Sequence, residues 1–434
     1  MLSHDENQLL CRVEGDAPMG GIMRRHWLPV CLSEDVAQRD GAPVRARLLG
    51  EDLVVFKDSE DRIGVLGERC LHRRASLAFG RNEECGLRCL YHGWKFDVEG
   101  NVLDMPSEAP GAAQRLGKKT KAYPVREGGG FVWAWMGPTQ EMREFEPPAW
   151  APVAGIRYAI VKMHTECNWA QVLEGSIDSA HSSSLHSTNM PAAEVEGATA
   201  TASAWFRPST DKAPRLQFEA TSYGFRYAAL RKPIRSPETH QYVRTTLFIA
   251  PFTVLIPPND QYNLAQMLVP IDDVSTMFYW IAWHPDPAKG ISQQAWRKFC
   301  AAEVGVDLHP DYRKKRNLAN GYLQDREAMK RGDWTGIAGI PAQDMAMWES
   351  MGAITERSED HFGSSDLAVA QFRRMMVAAA KNFRDGGPAI GTDSDVAYTD
   401  LASYEGVVPK SVDWRTLGPR RDAAPGAPEV AAAR

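Results

Sequence analysis

The sequence predicts an α+β protein of two units, and three observations carry that prediction. Its 434 residues are more than one hydrophobic core usually serves. Short apolar runs separated by turn residues fill the first third of the chain. Beyond a proline-rich stretch, longer strand-like runs are bracketed by helical patterns.

The composition is that of a globular domain, with 44% hydrophobic and 24% charged residues and a mean hydropathy of -0.38. No long uncharged apolar run is present, so no membrane span is expected. Met1 to Asn7 is polar and acidic, unlike a secretory signal, and the expected location is the cytoplasm. A net charge of -5 argues against a nucleic-acid partner, which needs a basic face. Seven cysteines are an odd count spread along the chain, so no disulfide framework is expected. Reduced thiols leave Cys70 and Cys89 available to a metal.

A short amphipathic helix opens the chain, and Trp27 to Val30 enters a strand. Val44 to Leu49 and Asp52 to Phe56 flank a Gly50-Glu51 turn. Lys95 to Val98 and Asn101 to Leu103 flank Glu99-Gly100. Tyr123 to Arg126 and Phe131 to Trp135 flank a glycine run. This spacing predicts a small antiparallel unit over residues 1–140. Proline-rich residues mark a linker, placed at 141–155. The second unit, 156–417, is expected to hold a helix over Trp169 to Leu185 and strands over Ala220 to Arg231 and Val243 to Ile256. Helices follow over Gln293 to Glu303, Tyr312 to Arg331 and Ala342 to Met351. Residues 418–434 are of low complexity and read as a flexible tail. No internal repeat is found.

Two constellations carry chemistry. The first is Cys70-Leu71-His72 and, 16 residues on, Cys89-Leu90-Tyr91-His92-Gly93-Trp94. Each loop, expected at a hairpin tip, supplies one Cys and one His. Two thiolates suit one iron of a [2Fe–2S] cluster and two imidazoles the other, which raises the reduction potential. Structural zinc is the alternative, but zinc fingers usually pair Cys with Cys and His with His along the chain. Cys11, Cys31, Cys85, Cys167 and Cys300 read as free thiols.

The second runs from Asn168 to His186. Asp178 and His181, three apart, share a helical face. His186 follows five residues later, turned away by roughly 140° on a regular helix. Both imidazoles face one metal only where the helix loosens, so a widened turn is expected near Ser182 to Ser184. Two His and one carboxylate on one face of an octahedron suit Fe(II) that activates O₂. Asp344 is the chosen carboxylate, because a charge near the start of an apolar helix is costly unless paired or metal-bound. Asp333, Glu349 and Asp366 are its rivals.

These motifs resemble the Rieske non-haem iron ring-hydroxylating oxygenases over nearly the whole chain, from Pro18-Met19-Gly20 and Trp27-x-Pro29 to Asp344. The block Asn168-Trp-x-Gln-x-x-Glu174-Gly-x-x-Asp178-Ser-x-His-Ser-x-x-Leu-His is most similar to the phthalate 4,5-dioxygenase type. Leu71 departs from the proline common in the family, without touching a ligand. The resemblance implies an antiparallel β Rieske (ISP-like) domain and a helix-grip (START/Bet v1-like) catalytic domain, in a homotrimer or a stacked-trimer hexamer. It implies that Asp178 is a bridge rather than a ligand, carrying electrons from the cluster histidine matching His92 in one subunit to His181 of the next. A carboxylate suits this, since it accepts the free ring N–H of both imidazoles. Asn168 joins Asp178 among the catalytic candidates.

The implied reaction uses O₂ to cis-dihydroxylate an aromatic carboxylate, with phthalate foremost. O-demethylation or monooxygenation of a methoxy- or hydroxybenzoate is the alternative. No Gly-x-Gly-x-x-Gly and no all-Cys ferredoxin spacing occurs, so NAD(P)H acts only through a separate flavin/iron–sulfur reductase. Arg69, Arg73, Arg74, Arg81, Arg88 and Lys95 crowd the cluster loops and read equally as a docking face or a solvated one. Substrate carboxylates call for fixed arginines. Arg207 and Arg244 are the choices, with Arg226 and Arg231 as alternatives and Ser179 as a further donor.

Overall fold

The computed structural model describes residues 2–151, 156–286, 288–392 and 397–418. Residues 152–155 of the expected linker lie outside the described residues, as does the expected tail beyond Gly418.

The first helix, His4–Cys11, starts where Ser3 and Glu6 cap each other reciprocally. It and the helix Pro18–Met23 pack on the long helix Leu367–Arg384 from the far end of the chain. Three small antiparallel sheets follow. Trp27–Leu32 and Val125–Gly128 flank Phe131–Trp135. Val44–Leu48, Glu51–Lys57, Ile63–Gly67 and Ala122–Tyr123 form the second sheet. Arg81–Glu83, Gly86–Arg88, Lys95–Phe96 and Val102–Asp104 form the third. The first predicted hairpin turns at Leu49-Gly50, one residue earlier than expected. Both residues take positive φ (48° and 81°), which a two-residue hairpin turn favours. Leu49 tolerates this because its N–H and that of Gly50 donate to Pro270 and Ile271 carbonyls (3.2 and 2.9 Å), docking the hairpin on the second sheet system.

That system is a large antiparallel sheet in the order Arg157–Thr165, Ser275–His284, Asn263–Asp272, Thr253–Ile256, His240–Ile249, Gly224–Arg231, Arg215–Thr221. Tyr404–Pro409 pairs with the first half of His240–Ile249. Two expected strands each prove to be two. The run from Ala220 turns before Gly224, whose φ of 145° leaves no room for a side chain: a Cβ would meet the Phe248 carbonyl oxygen at 2.4 Å. The run from Val243 reverses at Pro251, which has no N–H for the ladder.

The helices expected from Gln293 and Ala342 are present as Gln293–Phe299 and Ile340–Ser350. The helix expected over Tyr312 to Arg331 is not. Gly321 and Tyr322 take positive φ, and only a 3₁₀ segment, Leu318–Leu323, and a short helix, Arg326–Lys330, remain. The helix Leu367–Arg384 and the strands Arg157–Thr165, Asn263–Asp272 and Ser275–His284 were not anticipated. No helix among the described residues is long and apolar enough to cross a membrane.

Trp169–Ser176 and Leu367–Arg384 lie on the same face of the large sheet, where the Phe372 ring meets Trp169 and Phe248. Their polar sides are joined by Glu174, which accepts from Arg357 Nε (2.7 Å) and from Arg373 Nε and Nη2 (2.8 and 3.0 Å). Burial raises the Glu174 carboxyl, but the two guanidiniums outweigh it and hold it below its ordinary range. Such a group stabilises the fold above its unfolded pKa, and that contribution is lost as pH falls through the folded value. Glu174→Ala removes the ion pair of buried Arg357 and leaves Arg373 with Asp360 alone, and is expected to cost roughly 3–5 kcal/mol. Urea denaturation of wild type and variant at neutral pH and near pH 4 checks this, with the difference between them shrinking at the lower pH.

Candidate metal centres and adjoining pocket

Cys89 to Trp94 forms the tip of the hairpin between Gly86–Arg88 and Lys95–Phe96. Cys70 to Arg74 is closed by the Arg69–Ser76 bridge. The two tips meet, and Cys70, His72, Cys89 and His92 line one small recess. The His72 and His92 rings lie 4.5 Å apart, and His72 stacks on Trp94 at 4.7 Å. Gly93 takes φ 76°, and a Cβ there would meet Pro106 at 2.5 Å, so the tight loop requires glycine. Val54, Phe56, Leu66, Leu77, Leu87 and Phe96 form the apolar floor.

The donor set fits an iron–sulfur cluster. Burial is the largest effect on the Cys70 thiol and pushes it up to about 11, while the His72 and Arg73 N–H groups point at it and favour thiolate. His72 Nδ1 is buried without a partner among the described residues. Two facing thiols and an orphaned imidazole nitrogen in an apolar recess are costly unless a metal takes all of them.

The second centre departs from expectation in its backbone. The helix that starts at Trp169 ends at Ser176, before Asp178, and His181–Ser183 is a separate 3₁₀ turn. Asp178 and His181 are therefore not on a helical face, and no widened helical turn lies near Ser184. The break does the same work, turning both imidazoles inward. His181 Nε2 and His186 Nε2 are 3.2 Å apart, and Asp344 Oδ1 lies 3.5 and 3.0 Å from them. Cis ligands about 2.1 Å from an ion lie roughly 3 Å from one another, so the spacing fits a facial metal triad. Asp344 Oδ1 has no hydrogen-bond partner among the described residues. Each ring has a second contact, His181 Nδ1 to Asp178 Oδ2 (3.4 Å) and His186 Nδ1 to Gln343 Oε1 (2.8 Å). Burial lowers the His181 pKa, but Asp178 and then Asp344 outweigh it and raise it.

The rivals of Asp344 are engaged elsewhere. Asp333 accepts from the Thr335 and Gly336 N–H groups, Glu349 from Lys314, and Asp366 from the Gly363 N–H. Asn168 is not at the centre. It is fully buried, caps the helix through Ala170 N–H and donates to the carbonyls of Cys11 and Asp273. Its place is structural, because an N-cap must satisfy the helix's first free donors.

The triad opens into a pocket under the large sheet, with Trp205, Trp280 and Trp348 in its walls. Strand parity decides which arginines reach this side. Arg231 pairs with Tyr242 and Ala229 with Arg244, so Arg231 and Arg244 share a face. Arg226, five residues from Arg231, falls on the other, where it bonds to Glu219 and lies over Trp414. Arg244 lines the pocket. Arg207 stands behind it, donating to Ser182 Oγ and O (3.0 and 3.2 Å). Arg231 donates to Ser179 Oγ and O (3.2 and 2.7 Å). All three are buried, and one carboxylate, Glu405, faces Arg244 in register (3.4 Å) and bonds to Tyr242. Burial, then the charge of Arg244, lowers Arg207, and the same effects take Arg231 down to about 10. Gln266 Oε1, in the pocket wall, is unpartnered among the described residues.

Sequence reading placed Arg231, which shares a face with Arg244, among the alternatives and did not single out Glu405 or Gln343. Strand parity puts Arg226 and Arg231 on opposite faces, but which of them joins Arg244 depends on the pairing register. Glu405 lies on a strand far along the chain, which only pairing reveals.

Comparison with known proteins agrees with this geometry. The Rieske [2Fe-2S] domain family matches residues 26–124, and the LigXa C-terminal domain like family matches residues 134–432. The chain belongs to the Rieske non-haem iron ring-hydroxylating oxygenases, and a [2Fe–2S] cluster and a mononuclear iron are its cofactors. It is 58% identical over 417 residues to the phthalate 4,5-dioxygenase oxygenase subunit of Pseudomonas putida, covering 96% of this chain and 94% of that one. It is 35% identical to the 3-chlorobenzoate-3,4-dioxygenase oxygenase subunit of Comamonas testosteroni, over 96% and 98% of the two chains. The solved structure of Pseudomonas putida CBB5 NdmA with caffeine shares the fold, with a TM-score of 0.59 at 18% identity over 88% of this chain and 100% of that one.

The two centres separate by mutation. Asp344→Ala is expected to lose the mononuclear iron while keeping the visible absorption and acid-labile sulfide of the cluster. Cys89→Ser is expected to lose both cluster signals. Iron and sulfide analysis per chain checks each.

Proposed function

We propose that this chain is the oxygenase component of a multicomponent enzyme that adds both atoms of O₂ to phthalate at carbons 4 and 5, giving a cis-dihydrodiol. Cys70, His72, Cys89 and His92 would hold the cluster, and His181, His186 and Asp344 the iron. When bound, these groups supply one-electron storage and O₂ activation. The balance is one O₂, two electrons and two protons per ring.

The observation that carries the substrate is the charge of the pocket. Arg207, Arg231 and Arg244 are buried close together; Glu405 pairs with Arg244, while Arg207 and Arg231 bond to Ser182 and Ser179 and to no carboxylate among the described residues. Buried like charges are costly, and a dianion removes the cost. An ortho-dicarboxylate supplies the matching charge on one edge of a ring. Arg244 meets it directly, with Arg207 and Arg231 holding Ser182 and Ser179 in place behind. Trp205 and Trp280 pack on the apolar part of the ring and exclude water. The relative from Pseudomonas putida is named for the same substrate.

Electrons come from a separate flavin/iron–sulfur reductase. Of the six basic residues at the cluster loops, Arg81, Arg88 and Lys95 are paired with Glu83, Asp104 and Glu84, and Arg69 lies near Asp52. Arg73 and Arg74 are exposed beside His72 and are the better docking contacts. In one chain the two metal recesses share no lining residue. Transfer between subunits of a trimer, with Asp178 joining His92 of one to His181 of the next, suits this separation. Stacking of two trimers into a hexamer is compatible with it.

Arg244→Gln is expected to raise KM for phthalate by roughly 30- to 100-fold, the cost of about 2–3 kcal/mol for one desolvated charged contact. Benzoate, with one carboxylate, is expected to suffer less. Steady-state kinetics with a generic reductase and chromatography of the diol check both. Formaldehyde release from methoxybenzoates, with no diol from phthalate, would replace this reading with O-demethylation.

A further inference from the structure

We infer that Gln343 is a positioning residue for the mononuclear iron: its side-chain oxygen fixes His186 in the tautomer that presents Nε2 to the metal, and does so without adding charge. The inference rests on the triad reading above.

The argument is a chain of donors and acceptors. Gln343 Nε2 lies 3.0 Å from the Ile337 carbonyl oxygen and 2.9 Å from Asn189 Oδ1. A backbone carbonyl only accepts, so the atom of Gln343 facing it is the NH₂ group, and the other is Oε1. That oxygen also only accepts, and it lies 2.8 Å from His186 Nδ1. His186 must therefore donate from Nδ1, and its Nε2 presents a lone pair. On that side stands Asp344 Oδ1 at 3.0 Å. Consecutive residues of one helix, Ile340–Ser350, thus hold opposite edges of one imidazole. Gln343 is 1% exposed and His186 3%, so water does not compete for Nδ1.

The other ligand is treated differently. His181 Nδ1 faces the carboxylate of Asp178. A carboxylate behind an imidazole raises its basicity more than an amide does. The two histidines are therefore unequal donors, and the site keeps the charge of two neutral imidazoles and one carboxylate. A Glu at 343 would put an anion against the Ile337 carbonyl, which explains the need for an amide in physical terms.

Co(II) added to protein stripped of its mononuclear iron, with the cluster intact, is the probe. Ligation of both histidines through Nε2 gives two exchangeable, hyperfine-shifted Nδ1–H proton signals in wild type. Gln343→Met keeps the volume and removes the acceptor. It is expected to weaken Co(II) binding 10- to 100-fold and to lose one of the two signals, because the imidazole no longer held at Nδ1 is free to turn, while the other stays. A merely structural role would lower stability and leave both signals. Wild type showing one such signal, or Gln343→Met retaining both with unchanged affinity, overturns the inference. Should Gln343→Met not fold, the wild-type spectrum decides alone. Asp344→Ala tests the underlying reading separately: if Co(II) binds wild type and Asp344→Ala equally, the triad itself is wrong.

Discussion

Three lone pairs converge under the large sheet, on His181 Nε2, His186 Nε2 and Asp344 Oδ1, all within 3.5 Å of one another. Acceptors at that spacing repel unless a cation lies among them, so the surrounding fold has to hold them in place. It does so through polar contacts between elements distant in sequence. The helix carrying Asp344 is fastened at its far end by Glu349, which takes Lys314 at 2.6 Å and Tyr322, both buried. The chain leading to the histidines is fastened by the Asn168 cap and by Glu174 between Arg357 and Arg373.

The pocket carries the complementary strain. Among the described residues three buried arginines lie near Glu405, and under the proposed function an anion bound beside Arg244 would relieve their mutual repulsion. Binding energy that repairs such repulsion is specific for charge, because a neutral ring of the same shape leaves the repulsion in place. The serines between arginines and triad tie the two halves together: Ser182 and Ser179 accept from Arg207 and Arg231, and both flank His181 in the chain. The buried arginines and the triad are thus tied to one short loop.

The candidate metal donors were legible because they are chemical. Cys and His at fixed short spacing in two loops specify a mixed donor set whatever the surrounding fold, and Asp344 stood out as a charge in an apolar helix. The second-unit strands were legible only in part, since a continuous apolar run conceals a hairpin when the turn residues are Ser222-Tyr223-Gly224 or Ala250-Pro251. The Asp178–His181 contact was anticipated for a reason that does not hold, as the helix stops at Ser176.

By itself, then, the sequence determined which atoms are available to metal and cluster, because ligand chemistry depends on residue type and local spacing. Tertiary structure alone decided which charges meet. Arg231 and Arg244 share a face through strand pairing, Glu405 faces Arg244 across a ladder formed by a strand some 160 residues downstream, and Gln343 reaches His186 over a separation of 157. Such contacts depend on register and packing between distant segments, and no local pattern in the chain encodes them.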